Sequence, residues 1–394
     1  MGTTADPMPN HDVGHPELSD EERSRYARHL ALPEVGLEGQ LRLKRASVLC
    51  VGSGGLGSPL LLYLAAAGVG RIGIVDFDRV EASNLQRQVI HGSASIGHSK
   101  TRSAAARVRD LNPHVQVEEH DTMLCSDNAL DIVRAYDLVC DGTDNFPSRY
   151  LVNDACVLLG KPCIYGSVQG FSGQVSVFNR TAESPNYRDL VPEPPPPGLV
   201  PSCAAGGVVG VMPGLIGLIQ ATEVIKLITG IGDPLDGRLL LVDGLAMRFR
   251  ELRLAPAPSR QPITGLIDYQ AFCGTTGVAF AQEEQVESIS VQELKALLDS
   301  GADLLLIDVR NQAEVEVAAI PGAELFPLAT IESGEAFGAI RERAGDRPIY
   351  VHCKLGGRSA KAVTALSQQG IVAINVDGGI DAWSQQIDPA VPRY

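Results

Sequence analysis

Two short stretches of this sequence put reactive groups at spacings that chemistry uses. The first is Gly52-Ser53-Gly54-Gly55-Leu56-Gly57, which ends an apolar run and opens an Ala/Leu-rich one. Its glycines let the backbone come close to a phosphate, and the N-terminus of the next helix favours the negative charge. Asp76 closes the next apolar run, at the place of a carboxylate bonded to ribose hydroxyls. Alone, this pattern says adenine nucleotide, and a nicotinamide oxidoreductase is its default reading. The second stretch is His352-Cys353-Lys354-Leu355-Gly356-Gly357-Arg358-Ser359. Backbone N–H groups of such a loop turn inward and the next helix adds positive potential, so both favour an anion on the Cys353 sulfur. The loop from Cys353 to Arg358 is one residue shorter than one that fits a tetrahedral oxyanion, and fits a persulfide.

The residues beyond the glycine loop do not suit hydride transfer. Asp76-Phe77-Asp78 is followed by Ser83-Asn84-Leu85-Gln86-Arg87-Gln88, then by Lys100 at a helix start, then by Asp141-Gly142-Thr143-Asp144-Asn145. Hydride transfer has little use for Arg and Lys on phosphates together with an Asp free to hold a cation. Phosphoryl and nucleotidyl transfer need both: the cations neutralise charge that grows as pyrophosphate departs, and Mg²⁺ bridges phosphate oxygens.

These residues need a scaffold, and the hydrophobic pattern supplies one. The run 47–53 reads as a buried parallel strand, 58–67 as a helix stopped at Gly68, and 71–76 as the next strand. The period repeats with helices near 99–111 and 127–134 and strands near 115–119 and 137–141. Such alternation predicts an α/β fold with a Rossmann-like, doubly wound parallel sheet. A capping box, Ser19 with Glu22, opens an N-terminal helix that carries Arg25, Arg28 and His29. Further along the chain come a strand-rich stretch at 163–178, a stiff proline crossover at 192–202, an apolar helix near 214–229 and a hairpin over 238–254. Alternation restarts after residue 286, with helices at 290–299, 357–369 and 379–386 and strands at 303–309, 348–352 and 371–376. That is a second, smaller α/β domain. The expected organisation is a mobile tail over 1–17, a nucleotide domain over 18–272, a linker over 273–286 and a second domain over 287–394.

Composition bounds the function. The chain has 394 residues, 44% of them hydrophobic and 20% charged, which excludes disorder throughout. A formal net charge of −14 argues against a nucleic-acid surface. The first twenty residues lack the apolar core of a signal peptide, and the longest uncharged run is broken by Pro and Gly, so no membrane span is expected. Eight cysteines then read as buried thiols, ligands or nucleophiles of a cytoplasmic protein rather than a disulfide framework.

Taken jointly, GxGGLGSP, DFDxVExSNLQRQ, the Lys of IGHSK and DGTDNFxxRYLVND resemble the ubiquitin-activating-enzyme-like adenylyltransferases, the group of MoeB and ThiF, over about residues 18–272. The Cys353 loop, with Asp308-Val309-Arg310 and Gly378-Gly379-Ile380-Asp381-Ala382-Trp383, resembles a rhodanese sulfurtransferase domain over 287–394. The whole is similar to fusions of the MoeZ type. The resemblance implies a homodimer and an ATP·Mg²⁺ site, with Asp144 holding the metal through the nucleotide. It implies nucleotide contacts from Gly52, Gly54, Gly55, Gly57, Asp76, Asp78, Ser83, Asn84, Leu85, Gln86, Arg87, Lys100, Asp144 and Asn145. It implies that Arg28 reaches the partner subunit's site, and that Cys203, on a crossover loop, handles acyl groups or sulfur. Two Cys-x-x-Cys pairs hold a structural Zn²⁺ in most MoeB-like proteins. Here the matching positions read Asn186-Tyr187-Arg188-Asp189 and Leu254-Ala255-Pro256-Ala257-Pro258-Ser259, so no zinc is expected.

The expected reaction is ATP-dependent adenylylation of the C-terminal Gly-Gly carboxylate of a ubiquitin-like sulfur-carrier protein. Arg28, Arg87 and Lys100 would stabilise the transition state. Sulfur would then pass from a persulfide on Cys353, in the loop closed by Arg358, to give a thiocarboxylate. The persulfide would be recharged by a cysteine desulfurase or thiosulfate. Three alternatives stand beside it: an adenylyltransferase served by a separate sulfur donor, a nicotinamide oxidoreductase, and a non-catalytic scaffold that binds the carrier.

Overall fold

The computed structural model describes residues 17–195, 207–258, 260–274 and 286–393. They fall into two compact units, one up to residue 274 and one from residue 286. Cys203 and the proline crossover from 196 onward lie outside the described residues, as do the tail over 1–16 and linker residues 275–285. Cys273 is buried in a core cluster of the first unit, so that unit packs past the boundary expected at 272.

The first unit is built on an eight-stranded sheet. Its strands are β1 (Ser47–Val51), β2 (Arg71–Val75), β3 (Gln116–His120), β4 (Leu138–Asp141), β5 (Cys163–Gln169), β6 (Ser172–Phe178), β7 (Arg238–Asp243) and β8 (Arg248–Arg253). The order is β3-β2-β1-β4-β5-β6-β7-β8. The first five pair in parallel, as the alternation of strands and helices predicts. The last three are antiparallel, because the 163–178 stretch turns back on itself and 238–253 forms the expected hairpin. Residues of β1 alternate between two cores. Val48 and Cys50 join one cluster, Leu49 and Val51 the other. A strand buried on both faces must be apolar throughout, which is why SVLCV has no polar alternation after Ser47. The helix Gly36–Arg45, absent from the sequence expectation, packs Leu43 into the first cluster.

Among the described residues, the helix Val211–Thr229 is long and apolar enough to cross a membrane by length and composition. It is instead a core helix of this sheet. Ala221 and Val224 share a cluster with β1 and β2, and fully buried Gln220 donates to the carbonyls of Asp141 and Ile164 at 2.8 and 3.0 Å.

The positions that the resemblance assigns to zinc are joined by other means. The Asp189 side chain is fully buried. It accepts the N–H groups of Asn186 and Ala257, each at 2.8 Å, and pairs with Arg260 at 3.0 Å. Next to it, Arg188 makes a two-point ion pair with Asp154 at 2.9 and 2.7 Å, and the Tyr269 hydroxyl donates to the same carboxylate. Among the described residues no group of three metal-ligating side chains occurs.

The second unit has a five-stranded parallel sheet of β9 (Ser288–Ile289), β10 (Leu305–Asp308), β11 (Glu324–Leu325), β12 (Ile349–His352) and β13 (Ala373–Val376), in the order β11-β10-β12-β13-β9. β9 and β11 have two residues each, too short to show a hydrophobic period. Core clusters lie on both sides of this sheet, one with Ile307 and Val351, the other with Leu306 and Tyr350.

Candidate active sites in a nucleotide cleft and a cysteine loop

In the first unit, a cleft opens at the C-terminal ends of β1, β2 and β4, where the strand order reverses. That is where ligands bind in doubly wound sheets. The glycine loop forms one wall. Gly52 has φ of +92°, and a Cβ on it would meet the Gly142 carbonyl oxygen at 2.9 Å. A Cβ on Gly57 would lie 2.1 Å from the Gly52 oxygen. Gly52, Gly54 and Gly55 line the cleft, and Gly57 does not. The division of labour is thus visible: Gly57 serves the tight turn alone, Gly52 serves both the turn and the lining, and Gly54 and Gly55 present backbone to the opening.

Asp76 is nearly buried at the floor. Its Oδ2 accepts the Ser53 N–H at 2.8 Å and the Ser53 hydroxyl at 2.9 Å, and its Oδ1 accepts the Asp78 N–H at 3.0 Å. Oδ1 keeps one lone pair for a ribose hydroxyl. His91 braces the same turn. Its Nε2 lies 3.1 Å from the Ser53 carbonyl, which can only accept, so the proton sits on Nε2 and Nδ1 accepts from the Ser103 hydroxyl at 3.0 Å. Burial pushes the His91 pKa down and keeps the ring neutral.

Three cations line the cleft, Lys100, Arg87 and Arg149. Lys100, at the first position of the helix Lys100–Leu111, is buried and pairs with half-exposed Asp78 at 2.8 Å. Arg87 donates to the Ser83 carbonyl at 3.1 Å. Asp144 lines the cleft and is exposed, with no hydrogen bond or ion pair to another described residue. Asn145 lines it too, while its side-chain oxygen caps the helix Phe146–Leu159 by accepting the Ser148 N–H at 3.0 Å. Ser83, Asn84, Leu85 and Gln86 do not line the cleft. The Asn84 oxygen accepts the Glu81 N–H in its own turn at 3.3 Å. Arg28 is exposed on the short helix Ala27–Leu30, away from this cleft.

Two further cleft residues stand within the quoted motifs but had no role assigned to them. Arg149 lies on the buried face of the helix Phe146–Leu159, donates to the Thr143 carbonyl at 3.3 Å and lies 5.7 Å from the Tyr165 ring. Burial opposes its charge, but the Tyr165 and Tyr187 phenols and the Asp141 carboxyl outweigh that and hold it protonated. Asp141 itself is pushed up by burial. Gln88 is buried and lines the cleft, with no partner for its side-chain oxygen among the described residues. The signal for each lay in the motifs themselves: Arg149 is the arginine of DGTDNFxxRYLVND, and Gln88 is the last residue of DFDxVExSNLQRQ.

In the second unit, Cys353 lies between β12 and the helix Gly357–Gln368. Its sulfur is buried and accepts the Gly356 N–H at 3.1 Å, while the Ser359 hydroxyl, which donates to the Gly356 carbonyl at 2.8 Å, lies 3.4 Å from it. Gly356, with φ of +100°, aims that N–H inward. The helix Gly379–Gln386 closes over the loop: Ile380 N–H donates to the Cys353 carbonyl and Asp381 N–H to the Lys354 carbonyl. A Cβ on Gly379 would meet the Cys353 oxygen at 2.3 Å, so only glycine permits this approach. Arg358 makes a two-point ion pair with Glu314, both contacts at 2.7 Å. Beneath, fully buried Arg310 pairs with Asp308 at 2.5 Å and donates to the Ala318 carbonyl at 2.8 Å. Burial pushes the adjacent His352 down. Cys50, Cys140, Cys156 and Cys163 are also buried, in the sheet core away from either site. Burial raises Cys140, and bonding to Cys156 with burial raises Cys163, so both stay as inert thiols.

Comparison with known proteins matches both units to families. The ThiF family model matches residues 26–263, and a rhodanese-like domain model matches 290–386. The chain is 50% identical over 381 residues to "Probable adenylyltransferase/sulfurtransferase MoeZ" of Mycobacterium tuberculosis, covering 96% of each chain. It is 44% identical over 431 residues to "Adenylyltransferase and sulfurtransferase MOCS3" of Mus musculus, covering 99% of this chain and 93% of that one. Among solved structures, the Microcin C7 biosynthetic enzyme MccB in complex with N-formylated MccA superposes with a TM-score of 0.54 at 20% identity, over 61% of this chain and 74% of that one. MccB of E. coli with ATP gives 0.51 at 21% identity, over 61% and 73%. These structures share the fold. The chain therefore belongs to the ThiF family, fused to a rhodanese-like domain, and is an enzyme of the adenylyltransferase and sulfurtransferase type.

Proposed function

We propose that this enzyme adenylylates the C-terminal carboxylate of a ubiquitin-like sulfur-carrier protein ending in Gly-Gly, then converts it to a thiocarboxylate. One observation carries the reading. A cleft that joins a glycine loop, Asp76, Arg87, Lys100 and Asp144 occurs in the same chain as a buried Cys353 sulfur held by an inward N–H.

In the first step a carrier carboxylate oxygen attacks the α-phosphorus of ATP. The bond from that phosphorus to the bridging oxygen breaks, and pyrophosphate leaves with the electron pair. Arg87 and Lys100 face the phosphates, and Arg28 of the partner subunit completes the set in a homodimer. Each such contact is worth about 2–4 kcal/mol in the transition state. Asp144, exposed at the cleft with no hydrogen bond or ion pair to another described residue, would hold a magnesium ion brought in with the nucleotide. When bound, Mg²⁺ neutralises charge on the departing pyrophosphate.

In the second step the outer sulfur of a Cys353 persulfide attacks the acyl carbon, and AMP leaves. A thiolate, for which Cys203 is the candidate, then attacks the Cys353 sulfur. The sulfur–sulfur bond to the carrier breaks, the thiocarboxylate departs, and a thiol reductant reopens the resulting disulfide. A cysteine desulfurase or thiosulfate reloads Cys353. These steps belong in the cytoplasm, where thiols stay reduced.

The test is intact mass of a Gly-Gly-ended carrier after incubation with the enzyme, ATP·Mg²⁺ and thiosulfate. A gain of about 16 Da, oxygen replaced by sulfur, supports both steps. No gain, with ATP–pyrophosphate exchange still present, leaves an adenylyltransferase served by another donor. Neither signal with any carrier points to a binding scaffold.

A further inference from the structure

The cleft has two chemically different ends. Val75 and Leu124 share a core cluster on one side, next to Asp76, and suit an adenosine. Gly54, Gly55, Arg87 and Gln88 line the other, with Val168, Val208 and Pro213. Val168 and Val208 pack on a different cluster, around Leu56 and Ile216. A Cβ on Gly55 would lie 3.0 Å from Pro213 and 3.7 Å from the Arg87 side chain. This end therefore receives the phosphates and whatever reacts with them.

Gln88 stands at that end. It is 5% exposed, and its side-chain oxygen is buried with no partner among the described residues. A Cβ on Gly54 would face its amide nitrogen at 3.5 Å. Its backbone is fixed, because Gln88 N–H donates to the Asn84 carbonyl and the Gln88 carbonyl accepts the His91 N–H. A buried amide oxygen left without a partner costs about 1–3 kcal/mol, so a fold retains one where a ligand completes it. A carboxamide offers donors and an acceptor together, and phosphate oxygens can use only the donors. The C-terminal glycine of a peptide uses both: its carboxylate accepts and its N–H donates.

We propose that the Gln88 amide binds the terminal glycine of the carrier, donating to the reacting carboxylate and accepting the last peptide N–H. This rests on the adenylylation reading and names the residue that orients its nucleophile. A neutral donor suits the task, since a cation on the carboxylate would dull its attack.

The test is a double-mutant cycle on the full-length enzyme. One arm replaces Gln88 by Leu, which keeps shape and removes both bonds; the other removes the Gly-Gly tail of a ubiquitin-like carrier that binds the wild type. Carrier affinity is titrated with a non-hydrolysable ATP analogue present. In the wild type, tail removal should weaken binding at least about tenfold, or about 1.4 kcal/mol. In Gln88→Leu the tail should contribute less than about twofold, with affinity for the analogue held within about threefold. Gln88→Glu, which puts an anion beside the carboxylate, should bind the intact carrier more weakly than Gln88→Leu. An equal tail contribution in wild type and Gln88→Leu overturns the proposal. So does a fall in nucleotide affinity with the tail contribution intact, which would assign the amide to the nucleotide. If tail binding depends on Gln88 while the wild type shows no pyrophosphate exchange, the adenylylation reading fails and the Gln88 assignment stands.

Discussion

The glycine loop makes a prediction that separates folding from binding within six residues. At Gly57 an added Cβ would lie 2.1 Å from the Gly52 oxygen and 3.0 Å from the Gly52 carbon. Both are backbone atoms and cannot swing away. Overpacking of this kind costs about 1–3 kcal/mol, and the gain in helix propensity from Gly to Ala returns less than about 1 kcal/mol. Gly57→Ala should therefore destabilise the first unit by about 2 kcal/mol, lowering its melting temperature by about 4–8 °C. At Gly54 the nearest atom is the Gln88 amide nitrogen at 3.5 Å, an ordinary contact. Gly54→Ala should fold normally, yet its methyl would stand in the cleft and weaken ATP binding about tenfold. Calorimetry and ATP titration read the two effects. Thiosulfate sulfurtransfer by the second unit serves as the internal control, unchanged in both variants. A Gly57→Ala protein with unchanged melting, or a Gly54→Ala protein with unchanged ATP affinity, would refute the assignment of turn and cradle to these glycines.

Other expectations rest on single side chains. Lys100→Met should slow pyrophosphate exchange about 30-fold or more, equivalent to about 2 kcal/mol or more of lost transition-state stabilisation, with sulfurtransfer intact. Cys353→Ser should show the converse in kinetic assays: exchange intact, sulfurtransfer lost. Asp189→Ala removes three bonds from a buried carboxylate. Calorimetry should show the first unit destabilised by about 1–3 kcal/mol, once the partial exposure of Arg260 is discounted. EDTA should leave wild-type melting unchanged if these bonds do the work that zinc does elsewhere. Burial depresses His352 below its ordinary value, so unfolding takes up a proton there. The second unit should hold its full stability above about pH 6.5 and lose it as pH falls toward the folded-state value. His352→Gln should flatten that slope in melting curves recorded from pH 7.5 to 5; an unaltered slope would assign it to another group.

Much of this enzyme is legible in the chain because its chemistry is local. The glycine loop, Asp76, Lys100 and the Cys353 loop each sit at a strand end or helix start, where backbone N–H groups and one side chain within a few residues set what each can do. A five-residue apolar strand such as SVLCV announces burial on both faces, so the parallel core and the order of elements are readable as well. β9 and β11 were not legible, because two residues carry no period. The helix Gly36–Arg45 was also missed, since it opens without a side-chain cap.

Tertiary structure decided what depends on distance. Only the packed fold separates Gly57, which serves the turn, from Gly54, which faces the cleft. Only it shows Ser83, Asn84, Leu85 and Gln86 outside the lining while Gln88, in the same motif, lies within it. Asp189 and Arg260 are far apart in sequence, and no local pattern couples them; a fully buried carboxylate with three donors does. The physical reason is common to these cases. A side chain's type and its immediate backbone set what it can do, whereas burial and the partners that satisfy it come from segments whose approach no single stretch of sequence encodes.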